Sequence, residues 1–269
     1  MKRYLLTGVV LSLPFLMSDA LMAQQAEGCQ RTVSRSDLVT QAGYTDIFSL
    51  NYDPAYAKGF ICTYYENGKL RGEVQHINGM REGISKLYFI TGELRLEFHF
   101  NDSGWDGISK EYFKSGKLYA ETPYKDGKRE GIRKEYAESG ELYEEIPYKD
   151  SKAEGVRKMY FESGELKSET PYKDGKAEGI AKGYFKSGKI SWEHPNKGDH
   201  SEGLAKEYFE SGKLKSEILY KNRRKNGIEK HYFESGKLKS ETPYKNGRLE
   251  GTAKYYFEDG KLESETHFK

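Results

Sequence analysis

The sequence predicts an all-β fold: an elongated single-layer antiparallel sheet of about nine 24-residue β-hairpin repeats. Three observations predict it. Four residue series recur every 24 positions between Gly59 and Glu265. The composition joins 29 Gly and 22 Tyr to only 7 Pro in 269 residues, which suits aromatic strands separated by tight turns. Charged residues reach 32% against 36% hydrophobic ones, too lean for a conventional compact core. Aromatics at 14% and a formal net charge of +2 argue against disorder. With 44 Lys+Arg against 42 Asp+Glu, the basic excess that a nucleic-acid binder needs is missing, so no nucleic acid is expected as a partner.

Residues 1–23 read as a secretory signal peptide. Lys2 and Arg3 supply its charged start, Tyr4 to Met17 its apolar run, and Ala23 a small residue before cleavage at Gln24; cleavage after Ala20 is the rival. The run is short for a spanning helix, and nothing later is apolar enough, so no transmembrane segment is expected in the mature chain. A retained N-terminal anchor is the lesser alternative. The expected location is exported: periplasmic, extracellular or cell-surface.

Residues 24–58 are expected to form an N-terminal cap segment, with Ser34–Gln41 a short helix and Tyr44–Tyr52 an irregular strand. No cap is expected at the other end, where the sequence reaches Lys269 inside the last strand. Cys29 and Cys62 are the only cysteines. In an oxidising compartment they could form a disulfide closing a loop of roughly 33 residues, worth on the order of 3–4 kcal/mol. Lipidation of Cys29 and two free thiols remain alternatives; Ala26-Glu27-Gly28 departs from a lipidation signal, Glu27 most of all.

Residues 59–269 are read as nine repeats. One glycine series runs from Gly68 to Gly260 and a second from Gly59 to Gly251; a tyrosine series runs from Tyr64 to Tyr256 and a glutamate series from Glu73 to Glu265. In the unit Gly107 to Glu130, Ile108–Phe113 and Leu118–Lys125 are short, aromatic and glycine-bounded, hence strands. Ser115 before Gly116 favours a type I turn closed by a glycine bulge, because only the glycine then needs positive φ. The expected register places Tyr112 opposite Leu118, with Ile108, Lys110, Thr122 and Tyr124 on that face. Ser109, Phe113, Tyr119, Glu121 and Pro123 are expected on the other. A single layer leaves its apolar face uncovered, so Tyr and Leu ladders are expected to line a trough made by twist and curl. The same register sets Arg133 opposite Glu145 and Arg157 opposite Glu169.

The unit resembles the MORN repeat variant. Tyr124-Lys125-Asp126-Gly127-Lys128-Arg129-Glu130-Gly131 matches the end of the repeat, and Tyr112-Phe113-Lys114-Ser115-Gly116-Lys117-Leu118 matches the variant better than its Trp-containing parent. Ala137 in place of Phe, the turns Lys197-Gly198-Asp199-His200 and Asn222-Arg223-Arg224-Lys225, and Cys62 in place of Lys are departures. The resemblance implies β-hairpin sheets used for protein or lipid contacts. It also implies a label carried by bacterial relatives, the antitoxin component of a toxin–antitoxin system (the YwqK family).

No catalytic constellation stands out, so the chain is expected not to be an enzyme. Identical repetition marks the glutamates as structural partners for Lys and Arg, since an acid/base pair needs one differentiated environment. His194 and His200 read as exposed turn residues, and neither a phosphate loop nor a dinucleotide fingerprint occurs. No cofactor and no metal site are expected. The candidate binding residues are the ladder Tyr112, Tyr136, Tyr160 and Tyr184 with Lys110, Lys134, Lys158 and Lys182. Repeated at a pitch of roughly 10 Å, they suit an extended partner: a protein, a surface polymer or an anionic lipid surface. The expected function is an exported binding scaffold, adhesion included. The alternative is an immunity-type protein that binds a cognate toxin, which the signal peptide disfavours for any toxin acting in the cytosol.

Overall fold

The computed structural model describes the backbone of Cys29–Val33 and residues 58–269 except Gly79 and Ser103, with side chains from Gly59 onward. Residues 1–23, read as a signal peptide, and the expected helix Ser34–Gln41 and strand Tyr44–Tyr52 lie outside the described residues. The described chain is all β, and no helix occurs among the described residues. It divides into two compact units, Met1–Glu93 and Leu94–Lys269.

In the first unit, strands Lys58–Tyr64, Leu70–Ile77 and Met80–Tyr88 form an antiparallel meander. A further strand, Cys29–Val33, which the sequence reading missed, pairs parallel with Lys58–Tyr64. This pair is the exception to an otherwise antiparallel pattern; the residues from 34 to 57 exceed the dozen or so that a parallel connection requires. Ile61, Cys62, Val74 and Ser85 are buried here, and Cys62 is disulfide-bonded. The side chain of Cys29, the only other cysteine, lies outside the described side chains.

The second unit runs from strand Leu94–Asn101 to strand Leu262–Phe268, each hairpin pairing with the next. The first turn of each repeat is the expected one. Phe113 N–H donates to Lys117 O at 2.8 Å, Gly116 N–H donates to Phe113 O at 2.9 Å, and Gly116 has φ 81°. The second turn is of type I′: Asp126 and Gly127 have φ 50° and 76°, the twist that two-residue hairpins favour.

The register beyond the first turn differs from the expectation. Tyr112 faces Leu118, but Glu111 faces Ala120, so Tyr119 is an extra, unpaired residue. The same one-residue bulge recurs before Tyr136, Tyr160, Tyr184, Tyr208, Tyr232 and Tyr256. Because side chains alternate with period two, one extra residue moves the rest of the second strand to the opposite face. Glu121 and Pro123 therefore share a face with Ile108, Lys110 and Tyr112, while Thr122 and Tyr124 share one with Ser109 and Glu111. For the same reason Arg133 faces Ile146 and Arg157 faces Thr170, and Glu145 and Glu169 pair instead with Lys134 and Lys158.

Burial also reverses the expected roles of the faces. Ser109, Ala120 and Thr122 are buried, whereas Ile108 on the Tyr–Leu side is 51% exposed. The Ser–Ala–Thr face is thus the more buried of the two and the Tyr–Leu face the more exposed. The first is called the packed face below and the second the open face.

Candidate binding faces

The edge carrying the second turns explains one repeated glutamate. Each turn stacks on the preceding one: Gly127 N–H donates to Trp105 O at 2.8 Å, Ser151 N–H to Arg129 O at 2.9 Å and Gly175 N–H to Ala153 O at 2.9 Å. The carboxylates of Glu130, Glu154 and Glu202 accept from the turn N–H groups of Asp150, Asp174 and Asn222 at 2.9, 2.7 and 2.7 Å. These glutamates satisfy backbone donors that would otherwise depend on water.

The open face gathers all eight ladder residues. Lys134 lies in register between Glu145 of its own hairpin and Glu121 of the preceding one. Lys158 lies likewise between Glu169 and Glu145, and Lys182 between Glu193 and Glu169, at 3.9 Å from the Glu169 carboxylate. Lys110 completes the row between Glu121 and Glu97. The tyrosines brace the same glutamates: Tyr136, Tyr160 and Tyr184 donate to Glu121, Glu145 and Glu169 at 3.0, 2.7 and 2.7 Å. Burial and the hydrogen bond to the carboxylate push Tyr160 and Tyr184 up to about 12. For Tyr112, burial and the charges of Glu97 and Glu121 raise the phenol above its usual range. The row therefore alternates in sign and offers an anionic polymer no net positive charge.

Beside this row the open face presents a stripe that the sequence reading left unassigned. Ile108, Ile132, Val156, Ile180, Leu204 and Ile228 are 51, 50, 41, 50, 44 and 52% exposed. Each of the first four faces a proline across its hairpin: Pro123, Pro147, Pro171 and Pro195. Its signal in the sequence is an apolar residue after every glycine of the second series except Gly251, which Thr252 follows; the sequence reading placed Ile108 on the Tyr–Leu face without singling the series out.

The packed face between residues 109 and 159 is filled by ion pairs. Arg133 reaches Glu111 at 3.0 Å, Glu135 at 2.8 Å and the Thr122 hydroxyl at 2.6 Å. Burial alone would lower its pKa, but the hydrogen bonds to Glu111 and Glu135 outweigh burial and raise it. Arg157 pairs with buried Glu144. Among the described residues, no group of three or more His, Cys, Asp or Glu is placed to hold a metal ion. Among them, too, no helix is long and apolar enough to cross a membrane.

A family model described as "MORN repeat variant" matches residues 62–78, 105–126, 129–150, 153–174, 201–222, 225–246 and 249–269, more than half of the chain. No curated protein matches the chain. Among solved structures, the crystal structure of TcdB2-TccC3-Cdc42 is similar at 14% identity and a TM-score of 0.20. That match covers 76% of this chain and only 13% of the other, and at this TM-score it carries no argument.

Proposed function

Because this chain belongs to the MORN repeat variant family, we propose that it is a non-enzymatic scaffold that binds a protein partner through the open face of residues 94–269. The observation that carries the reading is the exposed stripe from Ile108 to Ile228. Successive stripe residues are two strands apart, about 10 Å. Seven residues of an α-helix span about 10.5 Å, so an amphipathic helix laid along the stripe sets one apolar side chain against each repeat. Many weak contacts in register then add by avidity. The alternating Lys–Glu row beside the stripe favours a partner of mixed charge over an anionic polymer or lipid surface.

The test uses synthetic helical peptides with leucine every seven residues, from two to four heptads long. Affinity for the full chain should rise with length, fall in the double variant Ile132→Asp/Ile180→Asp, and survive Lys134→Gln/Lys158→Gln. Binding that ignores peptide length and the two Asp substitutions would refute the stripe.

Export completes the proposal, with cleavage of the signal peptide and Cys29 as the partner of Cys62. The disulfide at Cys62 supports it, since such bonds persist in oxidising compartments. The secreted chain should begin near Gln24 by mass spectrometry and show no free thiol before reduction. A lipid on Cys29, or two labelled thiols, would overturn the bridge.

A further inference from the structure

We propose that a groove on the packed face, between Trp192 and His231, is a binding site for a neutral sugar ring. The groove encloses about 560 Å³, room for one or two such rings. It lies on the face opposite the stripe, so the proposal does not rest on the reading of that stripe.

The groove arises from substitutions at equivalent register positions. Where Arg133 and Arg157 fill the packed face, Ala181 and Ala205 stand in the next two repeats. Trp192 stands where neighbouring repeats carry Ser168 and Ser216, and it faces Gly183, where they carry Met159 and Glu207. A Cβ on Gly183 would come within 2.0 Å of the indole nitrogen, so this glycine makes room for the ring. The family matches end at residue 174 and resume at 201, so this stretch departs from the repeat pattern where the groove forms.

The lining matches a ligand with apolar faces and a hydroxylated edge. Trp192, His194 and Tyr220 supply ring surfaces, with Ala181, Ala205 and Ile218 as a flat apolar floor. His194 is fixed at both ends: its Nε2 lies 2.8 Å from the Ser201 hydroxyl, and its ring centroid lies 5.3 Å from that of Tyr220. Burial lowers the His194 pKa, so near neutral pH the ring is an uncharged surface. Polar groups stand around this floor with their charges matched. Glu229 binds Lys225 at 2.7 Å, and Glu207 lies 3.4 Å from Lys215. A matched rim gives an ion no electrostatic advantage, yet its carboxylates and ammonium groups still accept from and donate to hydroxyls. The C–H faces of a sugar pack on aromatic rings, and its hydroxyls reach such a rim.

The chain has only two tryptophans, Trp105 and Trp192, so the full-length Trp105→Phe variant, excited at the red edge where tyrosine does not absorb, leaves Trp192 as the sole reporter. Glucose, galactose, mannose and N-acetylglucosamine, with cellobiose, lactose and chitobiose, are titrated against it. At least one should change the emission saturably, while glycerol at equal concentration does not. Ala181→Arg, which restores the side chain of the two preceding repeats, should weaken that binding by roughly tenfold or more with an unchanged far-ultraviolet spectrum. Trp192→Ser, read by calorimetry, should do the same and serves if the arginine disturbs folding. No saturable response to any of the seven sugars overturns the proposal. So does a response that glycerol reproduces, and so does binding that survives both variants.

Discussion

Two stretches of the packed face share one backbone and differ in content. In residues 109–159, Arg133 and Arg157 close the surface with ion pairs to Glu111, Glu135 and Glu144. In residues 181–231 the positions of those arginines hold Ala181 and Ala205, and a groove opens. The hairpin register is the same in both, down to the bulge before each repeated tyrosine. What holds that register lies elsewhere: the glycine turns, the stacked second turns at one edge, and the Tyr–Glu rungs of the open face. A single-layer repeat can thus vary its packed positions without losing its strand pairing, and one stretch can be solid while the next is hollow.

The largest expected effect breaks the solid stretch. Glu144 is a buried carboxylate, its side chain 7% exposed, and Arg157 is its partner. Arg157→Ala leaves that charge buried and unpaired, at a cost of about 3 kcal/mol. Hydrogen exchange should locate the loss in Leu142–Lys149 and Leu166–Lys173. Equal protection in wild type and variant would show that the pair is only a surface contact.

The hollow stretch should answer to a smaller change. Gly183→Ala sets a methyl group against the Trp192 indole, so the ring must leave its place; overpacking of this kind costs about 1–3 kcal/mol. In the Trp105→Phe background, Trp192 emission should shift toward that of an exposed indole. Unshifted emission with unchanged stability would mean that Gly183 does not position the ring.

These contrasts also show how far the residues speak for themselves. The 24-residue period, the strands and the Ser115-Gly116 turn were legible, because a glycine that needs positive φ marks its place in the sequence. The bulge at Tyr119 was not, since no glycine or proline marks it and its geometry comes from the pairing of both strands. Missing it exchanged the faces of Glu121, Thr122, Pro123 and Tyr124, and with them the partners of Arg133 and Arg157. The strand Cys29–Val33 was missed because its partner, Lys58–Tyr64, lies far along the chain. The groove was half legible: Trp192 and Gly183 break the repeat visibly, but only the register shows that they face each other.

The second turns differ among themselves as well. Gly127, Gly175 and Gly247 take positive φ without strain, but the same turn position holds Ser151 at φ 65° and Arg223 at φ 67°. A residue with a Cβ there costs on the order of 1–2 kcal/mol. Arg223→Gly should therefore stabilise by about 1 kcal/mol after the added chain entropy of glycine is offset. Ser151→Gly should gain less, because the Ser151 hydroxyl accepts from Arg129 N–H at 3.0 Å. Paired urea denaturations give the order; a loss of stability in Arg223→Gly would show that its contact with His200 outweighs the strain.

The smallest effect per residue concerns the rungs that both stretches share. Tyr160, Tyr184, Tyr208 and Tyr232 are each pushed up to about 12 by burial and by a hydrogen bond to Glu145, Glu169, Glu193 and Glu217. An unfolded tyrosine ionises near 10, so between pH 10 and 12 the folded chain holds protons that the unfolded chain has released. These rungs contribute fully below pH 10, and their contribution fades as pH rises through 12. The hydroxyls are only partly buried, so each step is modest and screened. Spectrophotometric titration should show these phenols ionising late, and the Tyr160→Phe/Tyr184→Phe/Tyr208→Phe/Tyr232→Phe variant should lose stability less steeply over that interval. Equal slopes in variant and wild type would mean that the rungs do not couple ionisation to folding, leaving the turns to hold the register of both stretches.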